Sequence, residues 1–154
     1  NRRELEFITG TAIHALDTMR AVAGDINDMR SSSRLVDGVR WYLAELAFAS
    51  GAWGLLEVAP NAGSVAETQE WFGAGARCLV RTGTYDIGTA HIWEAGKLTL
   101  DYQPAPGTPE YVRNGAYGEL AEFVAALRED RAPYPSPRQV LQSVEVCHRI
   151  AEQG

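Results

Sequence analysis

Residues 41–59 read WYLAELAFASGAWGLLEVA, and this stretch decides the fold class. Residues 41–49 and 53–59 are both rich in aromatic and aliphatic side chains, as β-strands are. Ser50-Gly51-Ala52 separates them with the small residues typical of a turn. The stretch therefore predicts a β-hairpin.

Neither face of the first strand in this hairpin is polar. Successive side chains of a strand point to opposite faces, and the two faces carry Tyr42, Ala44, Leu46 and Phe48 on one side and Trp41, Leu43 and Ala47 on the other. Helices can cover one face, which leaves the other as an apolar patch, with Trp53, Tyr85 or Trp93 contributing. Such patches mark association, so we expect a homo-oligomer formed through the sheet face. A closed barrel that buries both faces is the alternative.

Further β-rich runs lie on both sides of this hairpin. Residues 85–93 and 98–102 flank a turn at 94–97 and predict a second hairpin, and residues 77–82 and 26–35 predict two more strands. Together they indicate a sheet of five or six mostly antiparallel strands.

Three segments have the apolar spacing of helices. Residues 11–23 have Thr9 or Thr11 as possible N-caps and Gly24 as a C-terminal stop. Residues 119–128 repeat the apolar spacing, and residues 137–151 follow the start signal Ser136-Pro137 with Gln139 three residues after the cap. The predicted fold class is α+β: an open mixed, mostly antiparallel sheet with helices on one face and the other face used for oligomer contact.

Composition and charge exclude several classes of protein. The 154 residues suit one globular domain, with 45% apolar and 22% charged residues. The net charge of -6 and the absence of a basic cluster argue against nucleic acid as a partner. The apolar stretch 43–56 contains Glu45 and is too short for a membrane span. Cys78 and Cys147 are far apart in sequence, which favours reduced thiols in a cytoplasm.

The best candidate for proton transfer is His14, near the start of the predicted first helix. Asp17 follows three residues later and so lies on a neighbouring position of the same face. Imidazole groups exchange protons near neutral pH, and a nearby carboxylate can orient the ring. His-x-x-Asp pairs are also common by chance, so a capping or core-edge histidine is the alternative.

Two separated motifs carry a resemblance to a known family. Residues 7–26 read FITGTAIHALDTMRAVAGDI, and residues 117–152 read YGELAEFVAALREDRAPYPSPRQVLQSVEVCHRIAE. Together they resemble the C-terminal domain of the Gfo/Idh/MocA oxidoreductases, which shows G-x-x-I-H-x-x-D and then F-x-x-A-[IL]-R-x-x-R-x-P-x-P-S. The second pattern corresponds to Phe123, Ala126, Leu127, Arg128, Arg131, Pro133, Pro135 and Ser136.

The resemblance implies a two-domain enzyme acting on a sugar or polyol. A Rossmann domain would bind NAD or NADP, and residues 1–154 would be a single C-terminal domain that binds substrate and forms the oligomer. Family members pair an E-K-P lysine with a D-x-x-x-H motif, and His14 matches its histidine as the catalytic residue. The aspartate position is Gly10 here. Asp17 is predicted to bind substrate with His14 but does not replace that aspartate.

The chain opens with Asn1-Arg2-Arg3-Glu4, which contains no Met and no apolar core of a signal peptide, so we expect an upstream domain to be missing. The cofactor half is expected to be absent from this chain, because residues 1–154 contain no E-K-P tripeptide and no complete dinucleotide fingerprint. Residues 73–78 have two glycines of a dinucleotide fingerprint but lead into a strand, so they are interpreted as a turn. Lys97 is the only lysine, in a hairpin turn. We expect no cofactor and no metal in this chain, and no activity from it alone.

Two rival functions stay open at this point. One is a non-catalytic dimeric binding or scaffold domain, which Gly10 in place of aspartate favours. The other is a ligand-enclosing α+β domain, in which the aromatic face would line a pocket. Cys147 falls on the inner stripe of the last helix and is interpreted as a packing residue.

Overall fold

The computed structural model describes residues 2–82 and 88–153. These residues form two compact units, one from residues 2–62 and 135–153 and one from residues 63–82 and 88–134. In chain order the elements are α1 (Arg2–Ala23), β1 (Ile26–Val36), β2 (Val39–Phe48), β3 (Trp53–Val58), β4 (Thr68–Gly73), β5 (Ala76–Arg81), β6 (Thr89–Glu94), β7 (Lys97–Tyr102), α2 (Glu110–Arg113), α3 (Ala116–Arg128) and α4 (Pro137–Gln153).

The first unit packs α1 and α4 against one face of the antiparallel sheet β1-β2-β3. The predicted hairpin of residues 41–59 is confirmed, with Ala44 of β2 opposite Leu56 of β3. Alternate residues of β2 are buried, namely Tyr42, Ala44, Leu46 and Phe48. The opposite face of the sheet stays open, and Trp53 on it is 84% exposed.

Helix α1 begins nine residues before its predicted start. Thr9 and Thr11 lie inside it, so their prediction as N-caps is wrong. The extension packs Ile8 into the core at 0% exposure, and burial of a side chain of that size outweighs the cost of about 1 kcal/mol for a helical glycine at Gly10. The predicted stop is confirmed, since Gly24 has φ +86° and donates its N–H to the carbonyl of Arg20 at 2.8 Å.

The second unit contains the antiparallel sheet β4-β5-β6-β7. The strand of residues 77–82 and the β6-β7 hairpin are confirmed, although residues 83–87, and with them Tyr85, lie outside the described residues. Strand β4 was not predicted, because Thr68, Gln69 and Glu70 make its first half polar. The short helix α2 was also missed.

The predicted open α+β fold is confirmed, and its strands are divided differently. The expected single sheet of five or six strands is two sheets of three and four strands, and every described strand pair is antiparallel. The described strands form no closed barrel, so the barrel alternative is wrong. Among the described residues no helix is both long and apolar enough to span a membrane.

The start of α4 also follows the sequence signal. The backbone N–H of Ser136 donates to Oε1 of Gln139 at 2.7 Å, which is one half of a capping box. Cys147 is fully buried in the helix stripe, as expected. On the same helix Val140 and Val144 are half-buried, and Ser143 and Val146 are buried.

Candidate functional site

His14 lies on the outer face of α1. The opposite face of the helix buries Ile8, Ala12 and Leu16 at four-residue intervals, which fixes the rotation of α1 about its axis. Gly10 and His14 are also four residues apart, and both are exposed. Gly10 and His14, which stand at the Asp and His positions of the expected D-x-x-x-H motif, are therefore both exposed on the same side of α1.

The imidazole of His14 has both ring nitrogens available for an external partner. Within residues 2–82 and 88–153 its ring makes no hydrogen bond or ion pair, and the backbone carbonyl of His14 accepts the hydroxyl of Thr18 at 2.8 Å. An exposed imidazole at a fixed helix position can exchange a proton with a bound hydroxyl compound.

The carboxylate of Asp17 is committed to the helix pair instead. Its Oδ1 accepts a short hydrogen bond from the hydroxyl of Ser143 on α4, and Arg20 Nη1 lies 3.8 Å from the same oxygen. Ser143 is 0% exposed. The structure therefore does not join Asp17 to His14, and the expected orienting hydrogen bond between them is not found among the described residues.

Arg20 completes this link between α1 and α4. Its Nη1 donates to the carbonyl of Gln139 at 2.5 Å and to Ser143 Oγ at 3.0 Å, and its Nη2 donates to Asp25 Oδ1 at 2.6 Å. Sequence reasoning missed this cluster. A signal was present, because Ser143 is a polar residue on the apolar stripe of α4 and a buried hydroxyl needs a partner.

Gly10 leaves room for the carboxylate that the resemblance expects. A Cβ atom built on Gly10 meets no other atom within 4 Å, and the backbone there is helical. The missing aspartate is therefore a difference in chemistry, and no steric reason in this chain opposes it.

The glycine segment 73–78 does not fit a dinucleotide. Gly73 ends β4 and Ala76 begins β5, and the two residues are paired in one hairpin. Ala74 and Gly75 form the turn between these strands, as predicted, and the segment lacks the helix N-terminus that binds a pyrophosphate. Among the described residues no three His, Cys, Asp or Glu side chains are grouped to hold a metal ion.

The other candidate groups are engaged in packing. His91 Nε2 lies 3.2 Å from Asp101 Oδ1, and the ring of His91 stacks on Trp93 with 5.7 Å between centroids. Burial, and to a smaller extent the carboxylate of Asp17, raises the pKa of Cys147 to about 11. A thiol with that pKa is a poor nucleophile near neutral pH.

Comparisons with known proteins identify the fold. No protein-family model matches the chain, and no curated protein matches it. Among solved structures, a dehydrogenase from Chromobacterium violaceum has a TM-score of 0.80 at 22% identity over 95% of this chain and 45% of that chain. Levoglucosan dehydrogenase, solved as a complex with NADH, has a TM-score of 0.76 at 18% identity over 93% of this chain and 46% of its own.

A third structure, UDP-N-acetylglucosamine 3-dehydrogenase from Acidithiobacillus ferrooxidans, has a TM-score of 0.71 at 16% identity over 92% of this chain and 44% of its own. The chain spans just under half the length of each of these proteins. At these identities the likeness establishes the fold: this chain folds as a part of such dehydrogenases does.

Proposed function

We propose that this chain is the substrate-binding C-terminal domain of a nicotinamide-dependent oxidoreductase of the Gfo/Idh/MocA type, acting on a sugar or polyol. The observation that carries the proposal is the fold likeness over more than nine tenths of the chain to dehydrogenases, two of which are named for sugar derivatives. The exposed His14 on α1, at the histidine of the D-x-x-x-H motif, supports it independently.

His14 is the proposed catalytic residue. Oxidation of a secondary alcohol removes a hydride from carbon and a proton from oxygen, and an NAD or NADP held by the other domain of the full-length protein would supply the hydride acceptor. His14 would take the proton from the substrate oxygen, and return it when the reaction runs in the opposite direction. Its ring is available for this role because it makes no hydrogen bond among the described residues.

Asp17 has a narrower place in this proposal. Its Oδ1 is occupied by Ser143, so a substrate hydroxyl would have to bind its other oxygen. The carboxylate also helps to hold α1 against α4, and through α1 it holds His14 in position.

The test replaces His14 with alanine in the full-length protein. We expect kcat/KM to fall by about 10² to 10⁴, the usual effect of losing a general acid or base, with NAD(H) affinity unchanged. Stability should change by less than about 0.5 kcal/mol, because the side chain is exposed. His148→Ala is the matched control, since His148 is an exposed histidine on α4. Full activity of the His14→Ala protein would refute the catalytic role.

A non-catalytic binding or scaffold role is the second candidate, and Gly10 is the observation that favours it. This position lacks the carboxylate although there is room for it. A screen of the full-length protein against sugars and polyols with NAD and NADP separates the two, since a scaffold domain would give no turnover with any pair.

We also propose that the open face of the three-stranded sheet binds a second copy. The open face of β1-β2-β3 carries the exposed apolar side chains of Leu43 on β2 and of Trp53 and Leu55 on β3, with the exposed Glu45 among them on β2. Arg30, Arg34 and Asp28 lie on the β1 side, which is net basic, and Glu57 lies on the β3 side. A two-fold axis along β2 would place the basic side of one copy over the acidic side of the other.

This arrangement predicts a charge-swap result. Light scattering of the 154-residue chain should give twice the mass of one chain at tens of micromolar. Arg34→Glu should dissociate the dimer by bringing like charges together, and adding Glu57→Arg should restore it. A wild-type monomer at this concentration would contradict the proposal.

A further inference from the structure

Helix α3 carries an exposed apolar face, which we name the α3 stripe. Leu120 is 62% exposed and Leu127 is 67% exposed, in a helix whose one fully buried residue is Ala126. The spacing of these positions puts them on one side of the helix. The α3 stripe consists of Tyr117, Leu120, Phe123, Val124 and Leu127.

The side of α3 opposite the stripe carries a group of polar contacts to the loop that follows the helix. Glu122 accepts two hydrogen bonds from Arg131, of 2.5 and 2.9 Å, and a third from the backbone N–H of Tyr134 at 3.0 Å. Arg131 is itself held by Glu129 at 2.6 Å. These bonds place residues 129–134 against the side of α3 opposite the stripe, and the stripe itself is left exposed.

An apolar helix face of this kind needs a permanent cover. Permanent contacts are more apolar than transient ones, and the five side chains of the α3 stripe include no charge. The open face of β1-β2-β3 differs, because it places opposite charges where a second copy could match them. The two surfaces therefore suit different occupants.

We propose that the α3 stripe is the docking surface for the dinucleotide-binding half of the full-length protein. This inference rests on the proposed function, in which the full-length protein has about as much chain again as this domain, as the matched dehydrogenases do. Two domains of one chain commonly share about 600–1,500 Å² of interface. A tethered partner needs no charge steering to find its site, because the linker keeps its local concentration high.

Hydroxyl-radical footprinting of the full-length protein tests this inference. Tyr117 and Leu127 should be oxidised several-fold more slowly than Tyr134 and Leu141. These two controls are matched in residue type and are comparably exposed in this chain, at 62% and 56%. Equal oxidation of the stripe and the controls would overturn the inference.

A pair of variants checks that docking is the cause of the protection. Leu120→Ser combined with Leu127→Ser should weaken docking by roughly tenfold or more, because each change removes apolar area from the contact, and should restore oxidation of Tyr117. Leu141→Ser, on α4, should leave the protection of Tyr117 intact. Protection of Tyr117 that the double variant leaves unchanged would also overturn the inference.

A second copy is the competing occupant. Arg34→Glu is expected to make the full-length protein monomeric, and in that variant the α3 stripe should stay protected from oxidation. Loss of protection in Arg34→Glu would assign the stripe to the contact between copies and overturn the inference. Titration with NAD(H) separates the two proposals. A protected stripe in a protein that binds no dinucleotide would refute the proposed function while supporting docking of the other half of the chain.

Discussion

Replacing Asp17 with alanine should show whether its carboxylate holds the helix pair or the substrate. In the structure Asp17 Oδ1 accepts the hydroxyl of Ser143, which is 0% exposed. Removing the acceptor leaves a buried donor unpaired, which costs about 1–3 kcal/mol. The side chain of Asp17 is 31% exposed, so water can partly replace it and the lower half of that range applies.

Ser143→Ala should cost about 1 kcal/mol, the usual net contribution of one hydrogen bond. Arg20 then loses one acceptor but keeps the carbonyl of Gln139. The double variant removes both the carboxylate of Asp17 and the hydroxyl of Ser143, so neither group is left without its hydrogen-bond partner. Its loss of stability should therefore be smaller than the sum of the two single losses by about 0.5–2 kcal/mol.

Urea unfolding of the four proteins in this cycle measures the coupling. Steady-state kinetics of full-length Asp17→Ala provides the second measurement, and a KM close to that of the wild type is expected if the carboxylate acts on the helices. Additive stability effects would refute the hydrogen-bonded pairing. A KM raised at least tenfold by Asp17→Ala but unchanged by Ser143→Ala would instead place Asp17 in contact with substrate.

Three further predictions concern single positions. Gly10→Asp should change the free energy of unfolding by less than about 1 kcal/mol, because the position is open and helical. In the full-length protein this variant should have a higher kcat/KM than Gly10→Asn. Equal values of kcat/KM would show that the missing carboxylate does not limit the rate. Burial raises the pKa of Cys147 to about 11, so at pH 8 iodoacetamide should label the half-buried Cys78 of the folded chain first. The contribution of the Cys147 thiol to the free energy of unfolding should be complete below pH 9 and lost as pH rises toward 11. Hydrogen bonds from the guanidinium of Arg131 hold the pKa of Glu122 at about 2, so the contribution of Glu122 to stability is present above pH 4.5 and lost as pH falls toward 2. Glu122→Gln should reduce the loss of stability in acid, and Glu119→Gln, on the same helix, should not.

Local patterns predicted most of the secondary structure correctly. The hairpin around Ser50-Gly51-Ala52, the stop at Gly24 and the start of α4 at Pro137 each depend on turn or capping residues that act within a few positions. The errors occurred where packing overrides local preference. The first turns of α1 pass through Gly10, which is a weak helix former, and are stabilised by the burial of Ile8.

The sequence by itself determined the open α+β class, the choice of His14 as a candidate and the absence of a dinucleotide fingerprint in residues 73–78, because each depends on residues close together along the chain. Tertiary structure alone decided that the strands form two sheets and that the α3 stripe faces outward. It also gave Asp17 its partner Ser143, which lies 126 residues away. Contacts at that separation depend on which helices pack together and on their rotation, and a one-dimensional pattern contains neither.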